Sequence, residues 1–148
     1  MLRYLELVMK GMLLEMKEKR SMLVIDDQYG IRLLLSKVFT QEGFEVHAAK
    51  HARQGLELFT EIAPDIVLLD IKFPGGMDGI ELLQEILVLN SHAKVIMMTS
   101  YEDHYDECLE LGAVDYFQKP FDLEDLKERV HASLLSAKRA PGSGAQID

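Results

Sequence analysis

Basic residues are few in this 148-residue chain: 16 Lys and Arg stand against 25 Asp and Glu, for a net charge of −9. A grip on nucleic acid needs clustered Lys and Arg to displace phosphate counterions, so direct contact with DNA or RNA is not expected and protein partners are. Cysteine is scarcer still. Cys108 alone cannot form an internal disulfide, which suits a reducing cytosol and leaves it as a small packing residue. No run reaches the roughly 18 apolar residues of a membrane span. Glu6, Lys10 and Glu15 interrupt the N-terminal segment, unlike a secretory signal, so a cytoplasmic location is expected. His47, His51, His92, His104 and His131 are scattered without the spacing of a histidine metal site.

What is present is alternation. With 48% hydrophobic and 28% charged residues the chain suits one globular domain. From Ser21 onward, short apolar runs ("MLVID", "FEVHAA", "DIVLLD", "AKVIMMTS", "AVDYFQK") alternate with longer segments of helical period. This β–α repeat predicts a parallel sheet covered by helices. "MLVI", "IVLL" and "VIMM" are apolar on both faces and belong in the middle, whereas "FEVHA" alternates and "VDYFQ" carries polar residues, as edge strands do. With right-handed crossovers a natural solution is a doubly wound, flavodoxin-like α/β fold with five strands in the order 2-1-3-4-5, although periodicity alone leaves other orders open.

That order has a chemical consequence, because such sheets bind ligands beyond the carboxyl ends of their strands. Asp26 and Asp27 close the first strand and Asp70 the third, so three acids from distant segments converge; Thr99 with Ser100, and Lys119, reach the same rim from the fourth and fifth. One acid near a helix N-terminus is an ordinary cap; a second beside it is not. Carboxylates a few ångströms apart repel by roughly 1 kcal/mol in water and about 4 at a partly screened protein site, so the cluster should raise a pKa or recruit a cation. Hard oxygen donors with open water positions suit Mg²⁺, with Mn²⁺ as the alternative. Asp70 is then a candidate nucleophile towards phosphorus, with Thr99 and Lys119 placed for the charge on the transferring oxygens.

The segments "VIDDQYG", "VLLDIKFPGGMDGIELL", "MTSY" and "DYFQKPFD" resemble the receiver domain of two-component response regulators, over about Ser21 to Ala137. The resemblance implies that Asp70 accepts a phosphoryl group from a phosphohistidine on a histidine kinase or a histidine phosphotransferase four-helix bundle. It implies a metal site of Asp26, Asp27, Asp70 and the Lys72 backbone carbonyl, phosphoryl binding by Thr99 and Lys119, a switch of Thr99, Tyr116 and Pro120, and a cis Lys119–Pro120 bond. Within that family, "DDQYGIRLLLSKVF" and "KPFDLEDL" are similar to single-domain regulators that pass phosphoryl groups along a sporulation phosphorelay. In the first receiver helix Ile31, Leu33, Leu34, Leu35, Val38 and Phe39 exceed one core-facing stripe, so some face outward. Gln28, Tyr29, Gly30, Ile31 and Leu34 are the expected docking face for the donor bundle.

Two departures from the family pattern stand out. "DIKFPGGMDG" carries one glycine more than usual, at Gly75 or Gly76, and the chain between Thr99 and Gly112 is short enough to abbreviate the fourth receiver helix. Lys72 and Tyr101 are placed to shape water access to an acyl phosphate, or are solvated loop residues. Glu102, Asp103, Asp106, Glu107 and Glu110 make an acidic helix face. Residues 1–20 form either a helical extension, with a heptad-like seam of Leu2, Leu5, Met9, Met12 and Met16, or an artefact of a start at Met16. The receiver-like domain is expected over 21–138 and a disordered tail over 139–148, with the molecule a monomer or weak dimer. Relay to a second histidine is the preferred function; phosphorylation-dependent binding, or a degenerate module used only for interaction, are the alternatives. A haloacid-dehalogenase-like phosphatase would want an acid where Lys72 stands, and a flavodoxin-like module would want a phosphate-cradling loop where "DDQYG" stands.

Overall fold

The computed structural model describes residues 1–17, 19–73, 76–100 and 105–136, and of residues 13–17 and 105 the backbone alone. Helix α1 (Leu2–Lys17) precedes five β–α units: β1 (Ser21–Ile25) and α2 (Tyr29–Gln41), β2 (Glu45–Ala49) and α3 (Ala52–Ile62), β3 (Ile66–Asp70) and α4 (Gly79–Leu89), β4 (Val95–Thr99) and α5 (Tyr105–Leu111), β5 (Asp115–Gln118) and α6 (Leu123–Leu135). The strands are parallel in the order β2-β1-β3-β4-β5, as the apolar patterning predicts. Every residue of β3 and β4 is buried, while β2 and β5 expose part of their length at the edges.

Successive strand side chains point to opposite faces, so the sheet separates two cores. Met22, Val24, Leu68 and Ile96 pack under α2 and α6, against Leu35, Phe39, Leu126 and Val130. Leu23, Ile25, Leu69 and Met97 pack under α3, α4 and α5, against Phe59, Leu82, Leu83, Ile86 and Cys108. The starts of α3, α4 and α6 are fixed by side-chain caps: His51 accepts from the Gln54 N–H, Asp78 from Glu81, and Asp122 from Glu124 and Asp125. At the other end Lys94 Nζ donates to the carbonyls of Leu134 and Ser136 at the close of α6.

None of the described side chains of α1 belongs to either core, and no described helix is long and apolar enough to cross a membrane. Among the described residues α5 runs over the seven residues Tyr105–Leu111. Tyr101, Glu102, Asp103 and His104 lie outside the described residues, as do Pro74, Gly75 and the expected tail of 139–148.

Candidate functional site

The carboxyl end of the sheet gathers the polar residues of the interior. Asp70 and Thr99 are the last residues of β3 and β4; β1 ends at Ile25 and β5 at Gln118, so Asp26, Asp27 and Lys119, expected as strand ends, lie just past them. The buried polar and charged side chains among the described residues are Asp26, Asp70, Thr99 and Ser133, so all but Ser133 lie on this rim. Strand pairing makes the convergence obligatory. Asp70 lies opposite Met98, one residue before Thr99, and Thr99 lies opposite Gln118, one residue before Lys119. The Lys119 N–H donates to the Thr99 carbonyl at 2.7 Å, and the Lys119–Pro120 peptide is cis.

Asp26 shows why one acid of the pair has local work. Its Oδ1 accepts from the Gln28 N–H at 2.9 Å and its Oδ2 from Lys119 Nζ at 2.6 Å. Gln28 occupies the N-cap of α2 without capping it; its Oε1 instead lies 3.3 Å from Lys119 Nζ. The ammonium therefore sits between α2 and β3, with Asp70 Oδ1 at 3.6 Å, a distance at which Lys119 acts on Asp70 as a charge and not as a hydrogen-bond donor. Burial pushes the Asp70 carboxyl up to about 6, with Asp26 adding to the push and Lys119 opposing it. A carboxylate so placed is poorly solvated and strongly attracted to any further positive charge.

Asp26, Asp27 and Asp70 are the metal-ligand-type cluster found among the described residues, with one oxygen from each lying within 4.8 Å of the others. Opposite ligands on a six-coordinate Mg²⁺ ion are about 4.2 Å apart, from bonds of about 2.1 Å. Adjacent ligands are closer, about 3 Å apart, so the three oxygens would draw together by side-chain adjustment to share one ion, and exposed Asp27 leaves that side open to water. Hard, anionic, partly dehydrated donors fit Mg²⁺. Lys72 lies on the exposed side, two residues past Asp70.

The remaining expected residues divide. Tyr116 is buried at 5% exposure within the core under α3 to α5, an inward position. Tyr29, at 69%, and Leu34, at 39%, face solvent with Gln28 and Gly30 beside them. Ile31 does not belong wholly to that face, because it packs partly against the α2–α6 core. Leu33 takes an exposed place there that the expected docking set omitted. Two supporting residues also escaped the sequence reading. Arg32 Nη1 donates to the Asp26 carbonyl at 2.9 Å, tying α2 to the rim one turn in. Gly79 donates its N–H to the Ile71 carbonyl at 2.6 Å, and a Cβ there would overlap the Asp70 carbonyl oxygen, so only glycine lets α4 start against the end of β3.

A doubly wound sheet with this acidic rim is the architecture of one class, and the chain belongs to it: residues 22–131 match the response regulator receiver domain family. Members are phosphoacceptor signalling domains of two-component and phosphorelay systems that bind Mg²⁺ through acidic residues. Among particular relatives, the chain is 46% identical over 117 residues to sporulation initiation phosphotransferase F of Bacillus subtilis, covering 78% of this chain and 92% of that protein. It also resembles a solved receiver domain from Clostridium thermocellum, at 30% identity and a TM-score of 0.74, over 78% of this chain and 94% of that one. The response regulator TrrA from Thermotoga maritima, solved in complex with Mg²⁺-BeF, matches at 33% identity and a TM-score of 0.72, over 77% of this chain and 98% of that one.

Proposed function

We propose that the chain is a cytoplasmic single-domain relay protein that takes a phosphoryl group from a phosphohistidine onto Asp70 and passes it to a second histidine. The single observation that carries this is the approach of the Asp26, Asp27 and Asp70 oxygens to within 4.8 Å, with Lys119 Nζ 3.6 Å from Asp70. In the forward step an Asp70 oxygen forms a bond to phosphorus as the phosphorus–nitrogen bond breaks; the imidazole keeps that electron pair and takes a proton from solvent. Mg²⁺ held by Asp26, Asp27, Asp70 and the Lys72 carbonyl would supply charge neutralisation for the transferring oxygens. Lys119 lies close enough to pair with those oxygens, and buried Thr99 stands beside it at the end of β4. Tyr116 and Pro120 are the residues through which the phosphorylated rim would be felt on β5.

The donor is read as a helical bundle, because Tyr29 and Leu34 leave an apolar face on α2 directly beside the rim. The similarity to a sporulation initiation phosphotransferase, with 92% of that relative covered, supports relay as the reading. Incubating the protein with a labelled phosphohistidine phosphotransferase tests the assignment. Label should enter the wild type only with Mg²⁺, survive detergent denaturation without heating but be lost in mild alkali, and return to unlabelled phosphotransferase. Asp70→Asn should take up none. Label on that variant would move the acceptor elsewhere, and label that enters but never returns would favour phosphorylation-dependent binding.

A further inference from the structure

Helix α1 stands apart from the fold that the function uses. It is a 16-residue helix whose described apolar side chains all face solvent: Leu2 is 78% exposed, Leu5 49%, Met9 62% and Met12 59%. A single helix of this length with no packed face is marginal in water, so its apolar side needs a partner. From the helix, and independently of the relay reading, we propose that α1 is a dimerisation element that pairs in parallel, in register, with α1 of a second copy of this chain.

The spacing argues for a helix as the partner. Leu2, Leu5, Met9, Met12 and Met16 follow steps of three and four residues, the a and d positions of a two-stranded coiled coil, and Gly11 falls at an outward c position where it does not notch the seam. The charges argue against a lipid surface. On a helical wheel the apolar arc runs from Val8 to Leu13 and is bordered on one side by Glu15 and on the other by Glu6, while Arg3, Lys10 and Lys17 form a stripe beyond Glu6. Carboxylates at both borders would be repelled by anionic headgroups, where an interfacial helix carries Lys or Arg. In a parallel pair each g residue meets the partner's e residue five places on, so Val8 meets Leu13 and neither glutamate faces another acid. Burying Leu2, Leu5, Val8, Met9 and Met12 from both chains would remove on the order of 1,000 Å², the lower edge of specific interfaces, which makes the pair concentration-dependent.

Sedimentation equilibrium of the full chain tests this. The mean mass should rise from 16.8 kDa towards twice that value with concentration, and Leu5→Glu combined with Met9→Glu should hold it at the monomer value. Leu2→Cys should give a covalent dimer on mild oxidation, as an in-register parallel pair requires, while buried Cys108 leaves the wild type uncrosslinked. Three results would overturn the proposal: a monomer at every concentration, a dimer that survives the double glutamate substitution, or a protein that stays monomeric and sediments with phosphatidylglycerol vesicles.

Discussion

Asp70 carries opposing demands in one side chain. It must be ionised to attack phosphorus, yet the position at the end of β3 that brings it to the rim also buries it. Folded and metal-free, it holds its proton up to about 6, against 3.8 for an unconstrained carboxyl. Between those values the folded state binds more protons than the unfolded one, so stability is greatest at the acid end of that window and falls as pH rises through 6. In chelator-treated buffer Asp70→Asn should therefore be the more stable protein at pH 8, by about 2 kcal/mol after discounting for solvent screening. That gain should vanish near pH 4; urea titrations at several pH values would show it, and a gain independent of pH would mean that ionisation is not its source. Added Mg²⁺ should narrow the difference at pH 8 by stabilising only the carboxylate form. Cys108 is the simpler case. Burial pushes its thiol up from 9.0 to about 11, with Glu107 adding to the effect. Near neutral pH it should react with a disulfide reagent about a hundredfold more slowly than the unfolded chain, and equal rates would mean the site under α5 opens freely.

At the scale of elements, α2 is where sequence and structure agree least evenly. Its apolar residues outnumber one stripe, which is legible, but which of them turn outward depends on how the helix is rotated against the sheet. Leu35 and Phe39 are fully buried, Ile31 and Val38 partly so, and Leu33 and Leu34 are exposed. Periodicity cannot fix that rotation because Leu33, Leu34 and Leu35 run consecutively around the helix. Leu35→Ala should cost about 2–5 kcal/mol in chemical denaturation. Leu34→Ala should cost less than about 1 kcal/mol, as exposed positions do. The same Leu34→Ala should slow phosphoryl transfer from a protein donor tenfold or more and leave labelling by a small phosphorylated compound unchanged; equal slowing of both would place Leu34 in the chemistry and not in docking. Gly79 is the other lesson at this scale. The strand–loop–helix pattern shows where α4 begins, but the overlap of a Cβ with the Asp70 carbonyl is a fact of tertiary packing. Gly79→Ala should lower the denaturation midpoint and weaken Mg²⁺ binding together, and a loss of neither would show that α4 can back away from β3 without cost.

For the molecule as a whole, the legible part is the part set by burial. Apolar runs on both faces identify β1, β3 and β4 as central, alternation identifies β2 and β5 as edges, and parallel connection then carries Asp26, Asp27, Asp70, Thr99 and Lys119 to one rim. What the sequence leaves unread is which groups meet: that Lys119 is shared between Asp26 and Gln28, that Arg32 holds the Asp26 carbonyl, and that the described side chains of α1 join neither core. No periodicity encodes which individual groups meet across the rim. The entry to β1 is itself held by such contacts, since Asp65 accepts from the Ser21 N–H at 2.8 Å and the Asp65 N–H donates to the Ser21 carbonyl at 3.0 Å. That lock sits at the opposite end of the strand from Asp26, about 17 Å away over five extended residues. A handle attached through the N-terminal helix thus pulls on the base of the sheet while its working edge stays turned towards the solution, so tethering the protein there, to a surface or to a twin, leaves the acids within reach of a visiting donor.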